Sequence, residues 1–157
     1  MRLAVLALLV PAPAAALSCL PPDPLVALAE AEASSDRFVV LRGRLDFDEG
    51  AMPPPVSQGE PPLPAPVVAR FEGVGLGRAG FDAPVVAAVT LRPTCAGPWC
   101  GSVPSGEAWV VFARVGDGGY EVEVGPCGGA LFPDEPGVAE AVAACHAGGG
   151  CAAGETP

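Results

Sequence analysis

The segment TCAGPWCG, residues 94–101, holds two cysteines with four residues between them. Cysteines at short spacing can form a redox pair, half of a metal site, or a structural cross-link. A thioredoxin-like redox pair needs C-x-x-C at a helix N-terminus, where the thiol pKa is lowered. Here the spacing is C-x4-C, Gly97 and Pro98 lie inside it, and no helical pattern follows. A zinc site needs two further ligands nearby. The single histidine is His146, and its neighbours Cys145 and Cys151 belong to the same pool of oxidisable thiols. The cross-link is the reading that fits.

Other residues with chemical potential read as structural. His146 beside Cys145 has the layout of a base and a nucleophile, but it also suits the negative C-terminal end of a helix. Asp46, Asp48 and Glu49 lack the loop spacing of a calcium-binding EF-hand and read as a solvated strand end. GVGLGR at residues 73–78 has neither the G-x-G-x-x-G spacing nor a following helix, so it is not a dinucleotide motif. One histidine at the far end of the chain leaves no credible Ser-His-Asp set. No catalytic, cofactor-binding or metal residue is assigned, and the expectation is a non-enzyme without a cofactor.

Compartment comes next. MRLAVLALLVPAPAAALSC opens with Arg2, an apolar run from Leu3 to Val10, then prolines and small residues, the layout of a secretory signal peptide. The run is too short for a membrane span, which needs about 20 residues. Ala14 and Ala16 form an A-x-A site, which predicts residues 1–16 as the leader and Leu17 as the first mature residue. The alternative cut after Ser18 would free Cys19 for lipid anchoring. A lipoprotein signal, however, places a large aliphatic residue where this chain has Ala16. The expected location is secreted or periplasmic. All six cysteines fall after the leader, and an even count in an exported chain reads as disulfides. Six cysteines allow 15 pairings.

The 157-residue chain suits one domain. Its basic residues are all arginine, and Ala, Gly, Pro and Val dominate, as in a GC-rich bacterial genome. The 20 prolines and 21 glycines are therefore poor evidence of function. A net charge of −10 repels phosphate backbones and disfavours nucleic acid as a partner.

The elements that must position these residues follow from periodicity. Asp23-Pro24 opens a helix of about ten residues, with Asp23 as cap, Pro24 in the first turn, and Leu25, Leu28 and Ala29 on one face. RFVVLRGRLDFDE, residues 37–49, alternates as a strand, and Gly43 predicts a bulge or bend. Residues 50–66 hold seven prolines and read as an extended, mobile loop. Further strands are predicted at 66–78, 83–93, 107–116 and 120–127. The strand at 107–116 is apolar enough for burial on both faces, and Gly116 to Gly119 form a hairpin turn. A last helix follows Pro136, with Val138, Ala141, Val142 and Cys145 in register. Five strands in a chain of this size fit a small closed or partly open barrel.

Mature LSCLPPDP, the strand VVLRGRL, a cysteine-bearing turn and GEAWVVFARVGDGGYEVEVGPCGG together resemble the netrin-like module. This is the OB-type barrel of tissue inhibitors of metalloproteinases and of many bacterial secreted proteins. The resemblance covers roughly residues 17–146. With LRGRLDFDE, CAGPWCG and PCGGALFP, the chain looks most like uncharacterised secreted proteins of marine and photosynthetic alphaproteobacteria. The implied fold is mainly β: a five-stranded OB-type barrel with a short N-terminal and a C-terminal helix, braced by disulfides. The domain would span residues 17–147, with 148–157 a cysteine-clipped flexible tail.

The family starts with Cys-x-Cys. Its first cysteine pairs with the turn before the last hairpin, and its second with the end of that hairpin. Leu17-Ser18-Cys19 aligns with that start, so the resemblance implies Cys19–Cys127. Leu17 replaces the first cysteine, which leaves Cys95 to pair with Cys100 and Cys145 with Cys151. The implied function is a non-enzymatic binding module for a protein or cell-envelope component, with the barrel face or the proline-rich loop as contact. A second reading is a protease inhibitor acting through Leu17, Leu20, Pro21 and Pro22. In the animal inhibitors the α-amine and carbonyl of the first cysteine chelate the protease zinc, and here Leu17 would have to supply them. A third reading is a thiol–disulfide protein using Cys95 and Cys100.

Overall fold

The computed structural model describes residues 17–56, 61–148 and 151. The predicted leader 1–16, with Ala14 and Ala16, and the tail beyond Cys151 lie outside the described residues. The chain forms helix α1 (Pro24–Ala33), strands β1 (Phe38–Asp46), β2 (Val67–Gly77), β3 (Gly80–Pro93), β4 (Cys95–Ala96), β5 (Trp99–Cys100), β6 (Ala108–Gly116), β7 (Gly119–Val124) and β8 (Leu131–Pro133), then helix α2 (Val138–His146). A short 3-10 turn, Glu49–Ala51, follows β1.

Five strands pair in a ring in the order β1, β2, β3, β7, β6, and β6 returns to β1. All the ring pairings are antiparallel except β3 with β7. β8 adds to the far side of β6, pairing Val110 with Phe132. The ring makes sense of the alternation in β1. Leu41 and Leu45 point inward with Phe71, Val89, Leu91, Val111 and Val122, all essentially without solvent exposure. Val40 points outward beneath the helices with Val110, Phe112 and Phe132. β6 therefore buries both of its faces, as its unbroken apolar run predicts. Trp109, Val111 and Ala113 serve the inner core, while Val110 and Phe112 serve the outer one. Each large apolar side chain so buried contributes roughly 1.5–3 kcal/mol.

Both helices lie over the outer core. Asp23 caps α1 by accepting from the Leu25 amide at 2.8 Å, with Pro24 in the first turn, as expected. The buried stripe differs by a residue: Ala29 is exposed, and Ala27 and Ala31 pack beside Leu28 instead. The i−3 and i+3 neighbours of Leu28 are Leu25 and Ala31, so a face centred on Leu28 takes those two. In α2 the stripe is likewise Ala139, Val142 and Cys145, and Ala141 is exposed. Glu140 reaches back to accept from the Gly137 amide at 3.2 Å and satisfies one free donor of the first turn. Arg42 on β1 donates to Asp134 at 2.9 Å, tying the sheet to the chain that enters α2. This hydrogen bond raises the Arg42 pKa above its ordinary value.

Three local expectations are corrected. Register between β1 and β2 runs without a shift through Gly43, so of the bulge or bend expected there the bulge is absent; the irregularity is between Gly75 and Leu76, on the β2–β3 side. The third strand begins at Gly80 rather than residue 83, because β2 and β3 form one long hairpin turning at Arg78-Ala79. The proline-rich loop is tied down at its start: the Cys100 amide donates to the Pro55 carbonyl at 3.1 Å, and Val56 bridges Trp99. Residues 57–60 of that loop lie outside the described residues. Among the described residues no helix is long and apolar enough to cross a membrane.

Candidate functional site

The cysteines of TCAGPWCG stand directly opposite each other on β4 and β5, with Ala96 opposite Trp99. Gly97 occupies the turn at φ +59°, and the ring of Pro98 holds its own φ negative. Glycine at the first central position followed by a residue of negative φ is the arrangement of a two-residue II′ hairpin turn. The Cys95 and Cys100 sulfurs lie at bonding distance, with Cα atoms 4.0 Å apart. Directly facing residues of an antiparallel pair stand about 4.5 Å apart at their closest register, so the pairing itself brings the two cysteines together.

Cys19 lies at bonding distance from Cys127, and Cys145 from Cys151, with Cα separations of 5.3 and 4.9 Å. These are the pairs that the resemblance implied. Cys127 follows β7 in a turn closed by a hydrogen bond from the Gly128 amide to the Gly125 carbonyl. The bond therefore pins the N-terminal segment to the end of β7, on the side of the ring that carries the cysteine hairpin. Thr94 and Gly101 fasten the hairpin there: the Thr94 amide donates to Val124 at 2.9 Å, and the Gly101 amide to Thr94 at 2.8 Å.

A cavity of about 380 Å³ opens at this braced end. Trp109, Val124 and Leu131 of the inner core line it, together with Val103, Trp99 of the hairpin, and Pro55 and Val56 of the proline-rich loop. Leu17 borders it as well. Among the described residues the buried Trp109 indole N–H has no hydrogen-bond partner. Leu17 is half-buried, Leu20 is 88% exposed, and Pro21 and Pro22 are exposed. The structure thus brings Leu17, the start of the proline-rich loop and the cysteine hairpin to one place. Trp109, Pro55, Val56 and Val103 were not singled out from the sequence as site residues. No local signal marks them, because the cavity is made by segments distant along the chain.

The remaining candidates are engaged elsewhere. Asp48 caps the 3-10 turn by accepting from the Gly50 amide at 3.0 Å, and Glu49 accepts from the Ser105 amide at 2.7 Å. The backbone thus uses both carboxylates. His146 ends α2 and its Nδ1 lies 3.2 Å from Glu32 Oε1 on α1. Cys145 is bonded, so the Cys145–His146 neighbourhood offers no free thiol. Glu32 and His146 border a second cavity, of about 290 Å³, between α1 and the ring. On the outer surface Glu121 bridges Arg92, at 2.8 Å, and Arg114. The Arg92 hydrogen bond holds the Glu121 carboxyl below its ordinary value.

Compared with known family models, curated proteins and solved structures, the chain matches none.

Proposed function

We propose that this chain is an exported, non-enzymatic binding module of OB-type, netrin-like architecture, which holds a protein or cell-envelope component at the braced end of its ring. Five strands closing on one another support the OB-type reading, five being the strand number of that fold. Three cysteine pairs at bonding distance agree with an oxidising compartment. The observation that carries the binding reading is convergence. The mature N-terminal segment and the proline-rich loop, both candidate contacts, border one cavity through Leu17, Pro55 and Val56. Beside it the Cys19–Cys127 link holds Leu20 in the open, 88% exposed. An apolar side chain fixed in solvent by a covalent brace loses little freedom on binding, which favours affinity.

The test is a photo-cross-linking residue placed at position 20, 56 or 86 of the exported protein. Val86 lies on the outer face of the β2–β3 hairpin, is 66% exposed and serves as control. Positions 20 and 56 should yield one shared cross-linked species, and position 86 none. A product from position 86 alone, or none at all, refutes the assignment of the face.

The same exposed segment keeps protease inhibition as a second reading. An inhibitor working through Leu17–Pro22 would lose activity when residues are added before Leu17, and undiminished inhibition would remove that mechanism. Thiol exchange by Cys95 and Cys100 has weaker support. The two residues face each other across a hairpin, with no helix N-terminus to lower a thiol pKa, and Cys100 is buried.

A further inference from the structure

We propose that the second cavity, between α1 and the ring, is a binding site for a small molecule with an apolar body and an ammonium group. It shares no residue with the cavity at the braced end, so this inference goes beyond the binding-module reading and does not depend on it. The length of β7 separates the two: Val124 at its end borders the braced cavity, and Tyr120 near its start borders this one.

The cavity follows from the way the ring closes. β3 pairs with β2 from Gly80 to Leu91, but with β7 only from Val89 to Pro93. Ahead of Val89 the ring is therefore open beside β3. Ala83 and Val85 fall on the same alternate positions of β3 as the buried Val89 and Leu91, and both line the cavity. The lining also includes Phe38, Val39 and Leu76, which are only half-buried, so a ligand would cover apolar surface that the fold leaves open. A volume of about 290 Å³ is at the low end of small-molecule sites.

Charge at the rim selects the head group. Both helices end here: Ala31 and Glu32 lie in the last turn of α1, and His146 is the last residue of α2. A helix C-terminus carries partial negative charge. Glu32 adds a full one. Its Oε1 lies 3.2 Å from His146 Nδ1, and among the described residues its other oxygen has no partner. The Glu32 side chain is 53% exposed, so it can turn to an ammonium group without leaving a buried position. The lining holds no arginine, and the chain has a net charge of −10. A carboxylate ligand would meet like charge at this rim, whereas an ammonium group meets the opposite one.

The chain's single histidine and single tyrosine both border the cavity, so their ring signals report on it directly. The experiment titrates the ¹³C-labelled exported protein with hexylamine, hexanol and hexanoate at low salt. At about pH 8 an alkylamine is charged and an imidazole is ordinarily neutral. The His146 and Tyr120 ring signals should shift and saturate with hexylamine. Hexanol, which has the same body without the charge, should bind about two- to fivefold more weakly, the range for one partly exposed ion pair. Hexanoate should bind more weakly still. Glu32→Gln should weaken hexylamine by the same about two- to fivefold and leave hexanol unchanged. Ala83→Phe puts a large ring into the opening from an exposed position, and should weaken hexylamine and hexanol alike, at least about tenfold. Should Ala83→Phe fail to fold, Glu32→Gln decides. Ring signals that stay still up to the solubility limit of hexylamine, hexanol or hexanoate binding as tightly as hexylamine, or unchanged hexylamine affinity in a folded variant, overturns the proposal.

Discussion

Gly43 and Gly73 face each other across β1 and β2, and a Cβ added to either would stand 2.7 Å from the Cα of the other. The Phe71 ring closes over the same spot: its Cζ would lie 2.8 Å from a Cβ at Gly43 and 2.9 Å from one at Gly73. Phe71 is fully buried. The two glycines thus let two ring strands approach closely while one aromatic side chain fills the space where theirs would be.

Gly43→Ala and Gly73→Ala should each lower stability by at least about 2 kcal/mol, because the new methyl meets backbone that cannot yield. Gly118→Ala, where nothing stands within 4 Å of the added carbon, should stay within about 0.5 kcal/mol of the parent. Urea unfolding of the three variants checks both expectations. A tolerated alanine at both strand positions would show that the close approach is not required.

The three disulfides should contribute unequally. The Cys19–Cys127 link spans 108 positions and the Cys95–Cys100 link five. The chain-entropy relation assigns about 4.7 kcal/mol to a loop near 100 residues and roughly 2 kcal/mol to the short one. Replacing both cysteines of the long link with serine should therefore shift the urea midpoint about twice as far as the same change at the hairpin. A non-reducing peptide map, with thiols alkylated first, should find no free cysteine in the parent protein.

Glu121, clamped by Arg92 and then Arg114, links stability to pH. Its carboxyl is held below the ordinary 4.5. A depressed folded pKa means that the unfolded chain takes up the proton first as the solution is acidified. The contribution is therefore complete above about pH 4.5 and is lost as pH falls through the lowered folded value. Glu121→Gln should be less stable than the parent at neutral pH and equal to it in strong acid. Because the cluster is on the surface, 1 M salt should narrow the difference. A constant difference across the acid range would mean that the clamp does not act through charge.

Cys100→Ser tests the thiol-exchange reading directly. It would leave Cys95 free on a strand of the hairpin, and no covalently trapped client should appear on a non-reducing gel of the exporting cells. A discrete mixed disulfide would make TCAGPWCG a working redox centre and displace the binding reading.

Much of the fold is legible in the linear chain because its signals are local. Asp23-Pro24 announces the start of α1 through capping, and the alternation of Leu41 and Leu45 with Arg42 and Arg44 marks β1. The double-sided run of β6 and the glycine turn before β7 are equally plain. These depend on neighbours within a few residues, where backbone geometry and periodicity act directly. The short elements β4, β5 and β8 carry too few residues to show a period.

What only the tertiary structure decides is which distant segments meet. Gly43 reads as a bulge or a bend until Gly73 is seen opposite it. Trp109 reads as one more apolar strand residue until the ring closes and places it in one cavity lining with Val56, Trp99 and Leu131. The amino-acid sequence determines the five ring strands and the two helices, because local periodicity and capping dictate each, and it supplies the even set of cysteines. The cavity and the braced end exist only once β6 returns to β1, since long-range packing alone determines which side chains surround an open space.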